Sequence, residues 1–210
     1  MKSVLTLLTL IIAMSTFGQT TQYPKGVYMS FEEIISKSPS VTAELEIERR
    51  TSGDIKMNGG NDYKIRSIDK SMSKKTIKKE IWAYSSGDTL FINGFQYKIQ
   101  PWYTDLILDG RFLVFKAGLS QYGDKQQEQL QMGYYFGAIG GAIQGAKLAM
   151  LRFLYVVDKE TGEIDTITPD KIKQLLGSSP ELLTQFQDED NQEDEGIWIE
   201  YMSKLNDSME

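Results

Sequence analysis

Apolar and polar positions alternate most clearly over residues 41–48, where Val41, Ala43, Leu45 and Ile47 interleave with Thr42, Glu44, Glu46 and Glu48. A period of two with one charged face predicts a half-buried antiparallel strand. Asp62 to Ile68 predicts a weaker second strand, reached through the turn-like "MNGGND". From Ile81 to Lys116, short aromatic and β-branched runs are parted by Ser-Gly-Asp at 86–88, Asn93-Gly94 and Asp109-Gly110. The Asn-Gly and Asp-Gly pairs suit two-residue hairpin turns, so this stretch predicts a meander of about five strands with Pro101 at an edge or a break.

Helical signals flank the strands. Ser30 is a good N-cap, Glu33 completes a capping box, Met29 and Ile34 hold the staple positions, and Pro39 stops the helix. "RFLYVV" and "EIDTIT" predict a hairpin over 152–168, after which Thr168 caps a helix carrying Ile172, Leu175 and Leu176 and ending at Gly177. Ser179-Pro180 repeats the start signal for a helix with Leu182, Leu183 and Phe186. Residues 188–196, "DEDNQEDEG", predict an acidic linker. Residues 197–210 then form an amphipathic segment whose Ile197, Trp198, Tyr201 and Leu205 can dock on the body.

Between the meander and the hairpin lies "GYYFGAIGGAIQGAKLA". Gly133, Gly137, Gly141, Gly145 and Ala149 are spaced by four, which on a helix makes a slowly winding stripe of small residues. Such a stripe lets another backbone approach closely. The apolar run from Met132 to Ile143 is short of the roughly 20 residues that a membrane span needs. The expectation is therefore a glycine-zipper helix packed on the sheet, with a membrane-associated oligomer as the alternative. The fold class that results is α+β: an antiparallel β-meander, this helix upon it, and a C-terminal hairpin with short helices. Residues 19–187 are expected to form one domain.

The first residues change the setting. Lys2, the apolar run from Val4 to Met14, and small Thr16 and Gly18 ahead of Gln19 have the form of a secretory signal peptide over 1–18. The expectation is an exported protein of the periplasm, outer surface or medium. Without cysteine it is not a lipoprotein and has no disulfides. The chain also lacks histidine, which removes Ser-His-Asp and Cys-His catalysis and His-ligated zinc. With 23 Lys+Arg against 29 Asp+Glu, nucleic acid is not an expected partner. Residues 49–79 nevertheless hold ten Lys/Arg against three Asp, and residues 158–210 hold fifteen Asp/Glu against four Lys.

The blocks "PKGVYMSFEEIISKSPS", "KKEIWAYSSGDTLFING" and "YVVDKETGEIDTITPDKIKQLLGSSPELLTQF", in this order, resemble a family of secreted proteins from Bacteroidota-type bacteria catalogued as a domain of unknown function. The resemblance implies export and a shared architecture. It implies no activity, ligand or site residue.

Candidate chemistry is sparse. Ser71-Met72-Ser73-Lys74 has the S-x-x-K spacing of penicillin-binding acyltransferases, but the companion S-D-N and K-T-G elements are absent, and "KETG" at 159–162 has an extra residue. "GGAIQGAKL" at 140–148 fails as a phosphate loop because Ala146 precedes Lys147 and Leu148 follows it. Counting six from Asp188 or Asp190 reaches Glu193 or Glu195 where an EF-hand needs glycine. No cofactor or metal is expected.

Trp82, Tyr84, Tyr97, Trp102 and Tyr103 crowd the meander as a possible ligand or partner surface, with "QPWYTD" at 100–105 as the place to look. Lys70, Lys74, Lys75, Lys78 and Lys79 form a basic patch suited to an anionic surface or to plain solvation. The expected role is a non-enzymatic interaction or envelope-associated module, its partner an envelope protein, a glycan or a membrane surface. The alternatives are the glycine-zipper oligomer and a carboxylate-based glycan-active enzyme.

Overall fold

The computed structural model describes residues 23–135 and 145–209. The expected signal peptide, and Gly137 and Gly141 of the glycine stripe, lie outside the described residues. So does most of the rejected phosphate loop.

Four successive strands form the middle of one sheet: β4 (Ala83–Ser85), β5 (Leu90–Asn93), β6 (Tyr103–Leu108) and β7 (Phe112–Ala117). β1 (Gly26–Tyr28) pairs with β4 at one edge, and β8 (Phe153–Asp158) and β9 (Ile164–Thr166) extend the other. β2 (Leu45–Arg49) and β3 (Tyr63–Ser67) form a hairpin that joins the sheet where Tyr63 pairs with Tyr103 of β6. The protein is thus mixed α+β, with an open antiparallel sheet of nine strands.

Both faces of the sheet are covered, which explains why its central strands read as continuous apolar runs. On one face Ile92, Leu113, Phe115, Tyr155 and Val157 pack with Tyr28 and with Ile34 of α1 (Phe31–Ile35). On the opposite face Phe112, Val114, Leu154 and Val156 meet three helices: α6 (Pro169–Leu176), α7 (Pro180–Gln187) and α8 (Glu195–Asp207). A third cluster joins Val27, Tyr84, Phe91 and Tyr103 to Leu45 and Ile65 of the hairpin and to Ile77 of α3 (Lys74–Lys79). Each fully buried aliphatic or aromatic side chain here contributes about 1.5–3 kcal/mol of transfer free energy.

Several local expectations meet different physics. Asn93-Gly94 is no hairpin turn. Asn93 is buried, caps a 3-10 helix over Gly94–Tyr97 through the Phe95 N–H, and donates to the carbonyls of Lys78 and Ile81. The meander consequently has four strands between Ile81 and Lys116. The strand expected from Val41 starts at Leu45, because Val41 instead bridges to Val27 at the edge of β1. The Glu33 carboxylate accepts from Met29 N–H and Ser40 N–H, a capping box displaced by one residue, while Ile34 belongs to the first core cluster and Met29 packs against the third.

Three further helices are not apparent in the pattern: α2 (Ser52–Asn58), capped by Thr51, α3, capped by Ser73, and α4 (Gly123–Tyr135). The first two turns of α4 are polar; Leu130 and Met132 pack on the first core cluster, and Gln129 anchors the helix. Its buried amide accepts from Ser120 N–H and donates to the hydroxyls of Tyr155 and Thr166. The acidic stretch after α7 is short: Asp194 caps α8 through the N–H groups of Gly196 and Ile197, so Glu195 and Gly196 already belong to that helix. Trp198, Tyr201, Met202 and Leu205 are buried beneath it.

Of the glycine stripe, Gly133 is a buried residue of α4, Gly145 begins the exposed α5 (Gly145–Leu148), and Ala149 is buried just after it. A side chain on Gly145 would meet open space.

Candidate ligand-binding cleft

The basic segment folds into one wall of a cleft. β3 supplies Lys64 and Arg66, the following turn supplies Lys70, and α3 supplies Lys74 and Lys78. Ile65, Ile77 and Met72 line its apolar parts, Trp102 closes one end, and Glu48 is the one carboxylate on the lining. The cleft holds about 770 Å³.

Trp102 is placed by its backbone. Its φ of 78° is in the left-handed region that a bulky side chain avoids, a strain on the order of 1–3 kcal/mol. Asn61 holds that conformation. Fully buried, it donates from Nδ2 to the carbonyls of Gln100 (2.6 Å) and Trp102 (3.3 Å). Its Oδ1 accepts from Gly118 N–H at 2.7 Å, and its own N–H donates to Pro101 O. The loop over 100–102 therefore has three connections to one asparagine, and the fourth ties that asparagine to Gly118.

Three cations surround the indole. The Arg50 guanidinium, Lys64 Nζ and Lys78 Nζ lie 5.9, 5.6 and 5.2 Å from ring centroids, within range of the ring's negative face. Arg50 is buried and neutralised by Asp54 at 2.6 Å, which Lys64 also reaches at 2.9 Å. Hydrogen bonds from Arg50, Lys64 and Asn58 hold the Asp54 carboxyl well below the usual carboxylate range. Arg66 pairs with Glu46 and Glu48 across the hairpin.

Lys70, Lys74 and Lys78 have no carboxylate partner among the described residues. Lys70 sits in the left-handed region (φ 61°) within a turn built on Asp69. The Asp69 carboxylate accepts from the hydroxyl and N–H of Ser71 and from the hydroxyl of Ser67, which bring its pKa down to about 2. Asp69 is thus engaged in shaping the turn that carries Lys70.

The other sequence candidates sort by depth. Tyr84 and Tyr103 are core residues beneath the cleft: Tyr103 donates to Ile77 O at 2.5 Å and Tyr84 to Leu45 O, and burial raises the Tyr103 pKa far above its ordinary value. Trp82 and Tyr97 meet each other, 5.5 Å apart and edge to face, away from Trp102. Ser71 of the S-x-x-K stretch lies outside α3, whose N-cap is Ser73, and its hydroxyl donates to Asp69. Among the described residues no group of three or more Asp or Glu side chains is placed to hold a metal ion, and no helix is long and apolar enough to cross a membrane. Sequence reasoning missed Lys64, Arg66 and Asn61. The first two lie on a strand that looked merely weak, and Asn61 reads as an ordinary turn residue in "NGGND".

The α+β scaffold thus carries a cationic cleft walled by Trp102. The chain belongs to a family of unknown function (DUF6563), which it matches over residues 26–209. No curated protein and no solved structure matches it.

Proposed function

We propose that this is an exported, non-catalytic binding module whose cleft around Trp102 takes an acidic glycan. One observation carries the reading. Lys70, Lys74 and Lys78, without carboxylate partners, share a concave surface with a held indole and with apolar Ile65, Ile77 and Met72. A carboxylated or sulfated sugar offers what that surface lacks: anionic groups for the ammoniums and an apolar C–H face for the ring. A flat membrane would meet the rim lysines but could not fill the concavity behind them. Export is supported by the signal-like start, Lys2 and Val4 to Met14 ahead of Gln19.

The test is a fluorescence titration of the protein and its Trp102→Phe variant with polygalacturonate and heparin oligosaccharides, with anionic vesicles as a separate arm. The reading expects an oligosaccharide-dependent change in emission that the variant loses. Response to vesicles alone contradicts a glycan ligand. For export, the protein recovered from envelope or medium should begin at Gln19; recovery solely from cytoplasm with Met1 retained contradicts it.

A further inference from the structure

A second groove opens on the other side of the meander. Phe31 of α1, Trp82 and Tyr97 form an aromatic cluster with centroids 5.5–6.5 Å apart, Tyr97 meeting both other rings edge to face. With Tyr122, 48% exposed, they line a depression of about 350 Å³. Gln96 and Lys98 supply its polar edge. We propose that this groove binds a neutral oligosaccharide, independently of the basic cleft.

Charge and hydrogen bonding together point to that ligand. Glu32 and Lys98 are the only charged residues on the lining, one of each sign, so nothing here selects an ion. Phe31 and Trp82 are half-buried, which leaves ring surface for the apolar face of a sugar. Around the rings stand polar groups with no hydrogen-bond partner among the described residues: the Trp82 indole N–H, the Lys98 ammonium and the Tyr122 hydroxyl. The Tyr97 hydroxyl is buried and equally unpartnered, and burial raises its pKa far above the ordinary value, so it stays a neutral donor and acceptor. Gln96 commits its amide N–H groups to the carbonyls of Lys79 and Ile81, which fixes the amide and leaves its Oε1 as an acceptor. Sugar hydroxyls, each both donor and acceptor, match such a mixed set.

The groove is also long enough for a chain. It shares Tyr122, Gly162 and Ile164 with an adjoining depression of about 620 Å³. Several of the charges there neutralise one another: Lys125 and Lys171 pair with Asp165, and Arg111 with Asp158. A proline-rich peptide also favours aromatic grooves and could accept from the groove's donors, but its tertiary amides offer no N–H to Gln96 Oε1.

The experiment is calorimetric titration of the full chain with neutral hexasaccharides (cellohexaose, laminarihexaose, xylohexaose, mannohexaose and N-acetylchitohexaose), with a decaproline peptide as a further arm. The expected result is binding of at least one hexasaccharide with a Kd of about 10 μM to 1 mM. That affinity should not change between low and high salt. Tyr122→Ala should weaken it about tenfold or more with the melting temperature unchanged, since the ring is exposed. Trp82→Phe keeps an aromatic in the packed cluster while removing the indole N–H, and should also weaken it. Lys70→Glu/Lys74→Glu/Lys78→Glu should leave it unaltered. Failure of all five sugars to bind overturns the proposal, as does binding that survives both aromatic variants or saturation by decaproline alone.

Discussion

The indole of Trp102 lies so close to the backbone of Gly60 that a methyl group there would sit 2.5 Å from Cδ1 of the ring. The same methyl would come within 2.8 Å of Pro101 O and 2.9 Å of Arg50 Nη1, and Gly60 has a φ of 90°. Gly60→Ala therefore combines a clash with a disfavoured backbone, and should cost about 2–4 kcal/mol in urea unfolding. Gly123→Ala, at the start of α4 with open space around it, is the control; it should be neutral or stabilise by up to about 1 kcal/mol.

Asn61→Ala removes three side-chain hydrogen bonds at once and leaves Gly118 N–H without its acceptor. The expected loss is about 2–4 kcal/mol. Its specific signature is a change in Trp102 emission under native conditions, seen against a Trp82→Phe/Trp198→Phe background. Loss of stability with unchanged emission would show that Asn61 holds the loop without setting the indole.

Asn206 behaves like a piece of strand. From α8 it accepts from Phe112 N–H at 2.8 Å and donates to Phe112 O at 2.9 Å, closing a two-bond ring with β7. Gly110 is required there, because a side chain would run into the Asn206 amide. Asn206→Leu strands both backbone groups of Phe112 and should cost about 2–4 kcal/mol. Hydrogen exchange should speed up across α8 before it does across β7 and β8.

Asp109, in the turn between β6 and β7, gathers Tyr23, Lys37 and Lys159 around one buried carboxylate. Burial alone would raise its pKa; the hydrogen bonds from Lys159 and Lys37 outweigh it and hold the value below normal. A carboxyl whose folded pKa is depressed contributes stability that is complete above the unfolded value, near 3.9, and is lost as pH falls through the folded value. Asp109→Asn should thus cost about 3–5 kcal/mol at neutral pH, with the gap from the unaltered protein narrowing below about pH 4. Urea midpoints of both proteins from pH 7 to pH 2 measure it; a constant gap would assign the cost to packing.

What could be read from the sequence follows from the range of the forces involved. The β8–β9 hairpin and the helices α6 and α7 are specified locally, by Thr168 and Pro169, by Gly177 and by runs of like periodicity. The fold class, an antiparallel sheet with helices, could be read for the same reason. Asn93, Gln129 and Asn206 were opaque because each spends a polar side chain on backbone or hydroxyl groups brought near only by tertiary folding. The cleft was half visible. Trp102 and the lysines of 70–78 stood out as residue types, whereas the strand lysine and arginine that complete the wall, and the asparagine that sets the indole, carry no local signature. Separating Trp82 and Tyr97 from Trp102 likewise required the sheet.

The most direct test of the central claim is the salt dependence of binding to a defined acidic oligosaccharide, such as a polygalacturonate decamer, for the protein and for Lys70→Glu/Lys74→Glu/Lys78→Glu. Lys70 and Lys74 are exposed and Lys78 is half-buried beside Trp102, with no carboxylate partner for any of the three among the described residues, so the variant should keep the parent's melting temperature to within a few degrees. The account predicts binding by the parent that weakens steeply as salt is raised, and a loss of about a hundredfold or more in the variant at low salt. Equal affinity for parent and variant, or affinity indifferent to salt, would contradict it.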